Sequence, residues 1–260
     1  MLIGPGAWAG TVVVTGDVEI EGAGAATEIV GAPAIRVQSG NVTVRRARLV
    51  GSGGSVVSAQ SGVLTIRDAL IDARAGSGPA VTAASGSVDL ESATLLGAGQ
   101  QAIDAHAPDP GDHVTVSLRD SVVSGFGAHA LSRTGAGVAN LSLDHADVFP
   151  ASDVTQRAAG TLTANAVLDV DPRFGSDGIT PMPASPLIDA ATPGAFGASE
   201  LDLLGNARLR AFGCGTARRD IGAVEAAGSC QVRRHRTLKL RYVRRNGHFA
   251  VRVGAGLTPL

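Results

Sequence analysis

The chain of 260 residues is rich in glycine (35 residues) and poor in aromatic residues (six Phe, one Trp and one Tyr). Its hydrophobic fraction of 44% and charged fraction of 17% exclude a disordered chain. No run of 18 apolar residues occurs, which excludes a membrane-spanning helix, and the glycines do not recur every third residue, which excludes collagen. The net charge of −1 divides into −9 for residues 1–230 (14 basic, 23 acidic) and +8 for residues 231–260, which contain eight Lys or Arg and no Asp or Glu.

A short frame recurs along the chain: apolar, polar, apolar, two mostly polar residues, a small residue and a final apolar residue. An irregular first copy lies around residues 18–20. In the regular copies, the steps between the second apolar residues are 22, 24, 28 and 25 residues. These copies occupy residues 42–49, 64–71, 88–95, 116–123 and 141–148. A period of this length indicates a repeat architecture.

A further short strand is predicted before each regular copy, because apolar and polar residues alternate there between Gly, Ser or Pro. No segment shows helical periodicity over ten residues, so each repeat is expected to contain two or three strands and no helix. The preceding strands are predicted at residues 35–37, 56–59, 81–83, 103–105 and 131–133.

These repeats predict an all-β fold, a single-stranded right-handed parallel β-helix in which successive copies stack one strand spacing apart. Val, Ile, Leu and Ala would fill its narrow interior, and glycine would supply the corner positions with positive φ. The competing all-β fold, an antiparallel sandwich or barrel, predicts hairpin turns, and residues 35–150 contain no Asn-Gly or Asp-Gly pair.

The repeat register also aligns polar positions into two columns on the outside of the solenoid. Such a face is a candidate surface for a long sugar polymer, although an ordinary solvated face of mixed charge is the interpretation that we favour from sequence. The candidate ligand-facing residues are Arg45, Arg67, Asp68, Glu91, Arg119 and Asp120. The full columns are Arg45, Arg67, Glu91, Arg119 and Asp144, and next to them Arg46, Asp68, Ser92, Asp120 and His145.

The longest repeat contains a polar segment, residues 104–113, that is a second candidate site. Three carboxylates and two imidazoles within ten residues are the side chains that bind metals. The segment lacks the spacing of an EF-hand, so a plain polar insertion is the favoured interpretation, and we expect no metal and no cofactor. The candidate residues are Asp104, His106, Asp109 and Asp112.

Four motifs follow the repeats in order. They are Asp171-Pro172-Arg173-Phe174, Ser185-Pro186-Leu187-Ile188-Asp189-Ala190, Leu201-Asp202-Leu203-Leu204-Gly205-Asn206-Ala207-Arg208 and Asp220-Ile221-Gly222-Ala223-Val224-Glu225. This series resembles the C-terminal signature of the choice-of-anchor Q family, with Ala191 where that family has Gly and Val224 where it has an aromatic residue. The repeat frame is similar to that of secreted bacterial β-helix proteins of the pectate-lyase-like superfamily.

The resemblance implies an exported or cell-surface bacterial protein and carries no catalytic residues over to this chain. The first basic residue is Arg36, so the N-terminus lacks the positive region of a signal peptide, and we expect a fragment or an incomplete gene model. We expect β-helix repeats over residues 1–165, a cap over 166–230 and a basic hairpin tail over 231–260 that begins a truncated module. Within the cap, Asp189, Arg208 and Asp220 are expected to close the end of the solenoid as a charge-paired cluster.

Three functions stay open from sequence. A non-catalytic exported scaffold or adhesin that contacts polysaccharide or a cell-envelope polymer is favoured, as a monomer that binds no nucleic acid. A uronate lyase would place Arg119, Asp120 and residues 104–113 near its site, although lyase motifs are missing. An envelope or polyanion anchor would act through residues 231–260. Cys214 and Cys230 either form a disulfide or stay reduced, according to the compartment.

Overall fold

The computed structural model describes residues 1–127, 129–150, 154–194, 200–212 and 216–228, together with the backbone of 237–245 and 248–256. Within these ranges every regular element is a β-strand. In chain order the strands are β1 (Leu2–Ile3), β2 (Gly6–Ala9), β3 (Val12–Val14), β4 (Val18–Gly22), β5 (Thr27–Gly31), β6 (Ile35–Val37), β7 (Asn41–Arg45), β8 (Arg48–Gly51), β9 (Val57–Ala59), β10 (Val63–Arg67), β11 (Leu70–Asp72), β12 (Val81–Ala83), β13 (Gly86–Glu91), β14 (Thr94–Leu96), β15 (Ile103–Ala107), β16 (His113–Arg119), β17 (Val122–Ser124), β18 (Leu131–Gly135), β19 (Val138–Asp144), β20 (Asp147–Phe149), β21 (Thr155–Gln156), β22 (Leu162–Asn165), β23 (Thr237–Arg245) and β24 (His248–Gly256).

Three parallel sheets form the walls of a β-solenoid, and each turn of the chain contributes one strand to each sheet. Among the described residues, the first sheet has the order β1-β4-β7-β10-β13-β16-β19-β22, the second has β2-β5-β8-β11-β14-β17-β20, and the third has β21-β18-β15-β12-β9-β6-β3. The predicted parallel β-helix is therefore confirmed. The repeat frame forms the strands of the first and second sheets, and the strands predicted before each frame belong to the third.

The interior consists of apolar columns in which like residues stack from turn to turn. All of these side chains are buried, and their alternation with polar residues determines which face of each strand is turned inward. The inward columns are Ile20, Val44, Ile66, Leu90, Leu118 and Leu143 in the first sheet, and Ile29, Leu49, Ile71, Leu95, Val123 and Val148 in the second.

The corner between the first and second sheets is made by residues in the left-handed region of φ. The second predicted polar column occupies this corner, and its φ angles lie between 47° and 53°. Non-glycine residues adopt this conformation rarely, and Asp and Asn tolerate it better than most. The corner residues are Arg46, Asp68, Ser92, Asp120 and His145. One residue per turn is thus held at the same edge of the molecule, next to the ends of the first-sheet strands.

The C-terminal segment, by which we mean the described part of residues 166–228, packs along the outer face of the second sheet. Leu70, Leu96 and Val122 point outward there and are buried by apolar residues of this segment. The burying residues are Ile179, Leu187, Ala191, Leu203, Ile221, Ala223 and Val224. The segment was expected to close the end of the solenoid, and the structure instead places it on the side, because the second sheet is apolar on both faces at these positions.

The basic tail forms the antiparallel pair that its sequence predicts. Strands β23 and β24 pair from Arg245 opposite His248 to Thr237 opposite Gly256. Residues 231–236, Cys214 and Cys230 lie outside the described residues, and so does the disulfide predicted as one alternative. Anchoring through the tail stays a prediction.

Candidate functional site

The outer face of the first sheet carries two polar rows that run parallel to the solenoid axis. The register predicted from sequence is confirmed, since Arg45, Arg67, Glu91, Arg119 and Asp144 are direct neighbours on successive strands. Beside this charged row lies a row of short side chains, and the two rows together line an open depression of about 370 Å³ around Thr65, Asp89 and Ser117. The short row is Thr43, Thr65, Asp89, Ser117, Ser142 and Thr163.

Ion pairs connect the charged row along the axis. The Glu91 carboxylate forms ion pairs with the guanidinium groups of Arg67 at 2.9 Å and Arg119 at 2.5 Å. Arg45 contacts Glu21 at 3.0 Å and Glu19 at 2.9 Å. Arg45 and Arg67 are neighbours of like charge, and each pairs with a carboxylate on its other side, which offsets the repulsion between positive charges about 4.8 Å apart. The row therefore presents both donors and acceptors to solvent.

A cavity of about 240 Å³ lies at the corner between the first and second sheets. The solenoid supplies its walls, and the C-terminal segment supplies its roof through Glu200, Leu201 and Arg219. We call it the corner cavity. The wall residues are Glu21, Arg45, Arg46, Arg67, Asp68, Glu91 and Ser92. The candidate residues Arg45, Arg67, Asp68 and Glu91 are thus brought together, and Arg119 lies along the face beyond them.

Buried Arg208 attaches the C-terminal segment to the wall of the corner cavity. Only 1% of Arg208 is exposed, and its guanidinium contacts Asp68 at 3.1 Å and Glu225 at 2.9 Å. It also donates a hydrogen bond to the carbonyl of Gly222 at 3.0 Å. The expected charge pairing of Arg208 with Asp189 and Asp220 is not what the structure shows: the ion pairs of Arg208 go to Asp68 and Glu225, and Asp220 accepts hydrogen bonds from the backbone N–H groups of Asp189 and Ala226.

Asp120 is a second attachment point and does not face solvent. It is fully buried on the corner, and its carboxylate forms an ion pair with the guanidinium of Arg219 at 2.8 Å. Its other oxygen accepts hydrogen bonds from the backbone N–H and hydroxyl of Thr192 at 2.6 and 2.7 Å. Asp120 therefore holds the C-terminal segment and is removed from any ligand on the outer face, unlike the other predicted column residues.

Burial raises the pKa of three carboxyl groups around the roof. Burial raises the pKa of Asp68 to about 6, against the opposing effect of Arg208, and Glu200 and Glu91 raise it further. Burial also outweighs Arg208 at Glu225, whose pKa rises to about 9, and it raises the pKa of Asp220. The corner cavity is therefore bordered by an acid, Asp68, that titrates near pH 6.

The polar segment 104–113 does not form one site. Asp104 and His106 lie on β15, where Ser132 donates to Asp104 at 2.7 Å and the His106 ring lies 2.7 Å from the Thr134 hydroxyl. Asp109 and Asp112 lie in the following turn, in which the Asp109 N–H donates to Asp112. Across the described part of the chain, no group of three or more His, Cys, Asp or Glu is arranged to hold a metal ion.

The residues named for a uronate lyase are also separated. Residues 108–112 precede β16 and Arg119 ends it, so about 20 Å of strand divides them. Asp120 is buried against Arg219. These residues therefore share no common site.

The sequence reasoning missed Glu21, Glu200 and Arg219 as parts of the corner cavity. Glu21 belongs to the irregular first copy and continues the charged row, so a register extended by one turn would have found it. Glu200 and Arg219 lie outside the repeats. The only sequence signal that could have drawn attention to them is that each directly precedes one of the motifs, which begin at Leu201 and Asp220.

Comparisons with known proteins return no relative. No protein-family model matches the chain, and neither a curated protein nor a solved structure matches it. The resemblance to the choice-of-anchor Q and pectate-lyase-like groups thus rests on the motifs. None of the described residues belongs to a helix long and apolar enough to cross a membrane.

A buried carboxyl on β20 gives a pH-dependent stability that can be tested. Asp147 is fully buried, and burial, with Asp169 and Asp171, raises its pKa to about 7. The folded pKa of Asp147 exceeds the unfolded value of about 3.9, so the folded state binds the proton more tightly than the unfolded state does. The stability that this protonation contributes is complete below about pH 4 and is lost as the pH rises through 7.

We expect Asp147→Asn to be more stable than the wild type at pH 8, by about 1 kcal/mol or more, because the amide is neutral and keeps an oxygen for the N–H of Val170. The advantage should decrease toward pH 4. Urea unfolding from pH 4 to pH 8 measures it, and a variant less stable than the wild type at pH 8 would contradict the assignment.

Proposed function

We propose that this protein is a non-catalytic scaffold, exported or displayed on the cell surface, that binds polysaccharide along the outer face of its first sheet. The observation that carries the proposal is the pair of polar rows on that face. Each turn adds one short polar side chain and one charged side chain in constant register. A polymer of sugars presents hydroxyl groups that both donate and accept hydrogen bonds, and it matches a surface on which every turn offers polar groups of the same kinds.

The shape of the face supports an extended ligand. The depression around Thr65, Asp89 and Ser117 is open and spans several turns, so a chain can lie along it without being enclosed. The contacting side chains are partly exposed and already oriented by the ion pairs of Glu91. An orientation fixed before binding reduces the entropy lost when a ligand binds.

Export and surface location are supported by the motif series from Asp171 to Glu225 and its resemblance to the choice-of-anchor Q family. The likeness of the repeats to pectate-lyase-like proteins supports a carbohydrate partner. Neither resemblance supplies catalytic residues, so binding without turnover is the function that we propose.

The test is retention of the protein in native gels that contain polygalacturonate or a neutral glucan. We expect the wild type to be retarded by at least one polymer. The double variant Thr65→Gln, Ser117→Gln enlarges the short row without changing charge and is expected to weaken retention at least tenfold. The matched control is Ser58→Gln, Thr82→Gln on the outer face of the third sheet, which should bind as the wild type does.

Two outcomes would contradict this proposal. Equal losses in both double variants would show that the first sheet is not the binding face. A rise in ultraviolet absorbance when the protein and Ca²⁺ are added to uronate polymers would show elimination chemistry, and the non-catalytic part would then be wrong.

A further inference from the structure

We propose that strands β23 and β24 form an amphipathic hairpin that binds the surface of an anionic phospholipid bilayer. Its apolar face enters the lipid, and its basic residues lie among the phosphate headgroups. The inference goes beyond the proposed function, because it concerns a different part of the chain and a different class of partner.

The pairing of β23 with β24 sorts the residues of the hairpin onto two faces. Residues directly opposite each other in an antiparallel pair share a face, and successive residues of a strand alternate between the faces. The basic face carries Lys239, Arg241, Arg245, His248 and Arg252, together with Thr237, Val243, Ala250, Gly254 and Gly256. The apolar face carries Leu238, Leu240, Tyr242, Val251, Val253, Ala255 and, at the end nearest the turn, Phe249 and Arg244.

The apolar face needs a surface that covers it. Strands β23 and β24 pair with each other and with no other strand that the structure describes. A two-stranded hairpin is marginally stable alone, and it becomes stable when a hydrophobic face is packed against something else. A partner that accepts this face would therefore also stabilise the hairpin.

The basic face needs a counter-charge. Arg241 and Arg252 are directly opposite each other, and like charges in this position destabilise an antiparallel pair. Residues 231–260 contain eight Lys or Arg and no Asp or Glu, so this part of the chain supplies no carboxylate to offset the repulsion. An anionic partner would remove it.

A bilayer of anionic phospholipid meets both needs, whereas a polyanion in water meets only the second. Amphipathic elements with basic residues on one face bind at the bilayer interface through buried apolar area and attraction to anionic headgroups. Lys and Arg have side chains long enough to reach the headgroups from an element that lies in the interface. Tyr242 on the apolar face is of a residue type enriched at that depth.

The competing partner is the first turn of the protein's own solenoid. Its large apolar side chains Met1, Leu2, Trp8 and Val13 are all at least half exposed. This surface would cover the apolar face, but residues 1–16 contain no Asp or Glu and offer no counter-charge to the basic face. Charge complementarity therefore favours the anionic bilayer.

The experiment is sedimentation of the full chain with vesicles of phosphatidylcholine, alone or mixed with phosphatidylglycerol. We expect at least tenfold tighter binding to the anionic vesicles, weakened by salt. Arg241→Gln, Arg252→Gln should lower this affinity at least tenfold, because each Lys or Arg near an anionic surface contributes about fivefold. The matched control is Arg157→Gln, Arg218→Gln, which removes the same charge from exposed positions outside the hairpin and should bind as the wild type does.

A second double variant tests the apolar face. Leu240→Thr, Val253→Thr changes two residues that are directly opposite each other, and Thr keeps a high preference for strands while it removes apolar surface. We expect it also to lower the affinity for anionic vesicles at least tenfold. A loss in the arginine variant with full affinity in this one would show plain polyanion binding and overturn the bilayer assignment.

Two other results would overturn the inference. One is equal binding to neutral and anionic vesicles. The other is a shift of the fluorescence of Trp8, the one tryptophan of the chain, when Leu240→Thr, Val253→Thr is compared with the wild type without vesicles, since the apolar face would then cover the first turn. Retention by a neutral glucan depends on the first sheet and is measured separately, so either proposal can fail while the other stands.

Discussion

At pH 8, Arg208→Ala is expected to lower the free energy of unfolding by about 3–5 kcal/mol, because it leaves ionised Asp68 buried without its cation. Glu225, whose pKa is about 9, is largely protonated at that pH, so there the substitution removes a contact to a neutral carboxyl, together with the hydrogen bond to the carbonyl of Gly222. Because these contacts join the C-terminal segment to the solenoid, we expect the segment to become sensitive to protease while the solenoid stays folded.

Urea unfolding and limited proteolysis measure the two effects. Arg218→Ala is the matched control, since Arg218 lies in the same segment with its side chain exposed, and its stability should stay within about 0.5 kcal/mol of the wild type. A loss in Arg208→Ala no larger than in Arg218→Ala would show that apolar packing on the second sheet attaches the segment without help from Arg208.

The second large effect is expected at the glycine column that precedes the first-sheet strands. Gly62 has a φ of 86°, and an added Cβ would collide with the backbone of Gly40 in the turn below. The strained conformation alone costs about 1–3 kcal/mol. Gly40 directly precedes β7, and its carbonyl accepts a hydrogen bond from the N–H of Val63, so it has little room to move and we expect Gly62→Ala to lose at least about 2 kcal/mol.

Gly54→Ala is the control for this substitution, because an added Cβ there meets no atom within 4 Å and its φ is not positive. Thermal unfolding of the two variants gives the comparison. If both melt alike, close stacking of turns at Gly40 and Gly62 does not limit the fold.

The sequence was sufficient to predict the solenoid for a physical reason. A parallel stack repeats the same environment once per turn, so the inward residues Val44, Ile66 and Leu90 are all apolar, and the outward residues that precede them, Thr43, Thr65 and Asp89, are all polar. That constraint is local and periodic, and it is visible in one chain without relatives. The columns of the outer face follow from the same register.

The position of the C-terminal segment was not predicted, because it depends on contacts between residues far apart in sequence. Asp120 and Arg219 are 99 residues apart, and nothing in either motif indicates the pair. A signal was present in the second sheet, where Leu70-Ile71, Leu95-Leu96 and Val122-Val123 are apolar at consecutive positions. A strand that is apolar on both faces is covered on both faces, which favours a segment on the side of the solenoid over one at its end.

The left-handed corner has a consequence for how such proteins change in evolution. Each turn brings its own corner residue and its own residue of the charged row, and neither position depends on the length of the loops elsewhere in that turn. Duplication or loss of one complete turn would therefore lengthen or shorten the polar outer face of the first sheet by about 4.8 Å while the register of every remaining strand is kept. The length of the two polar rows is then determined by the number of turns, and the charge at the corner by single substitutions there.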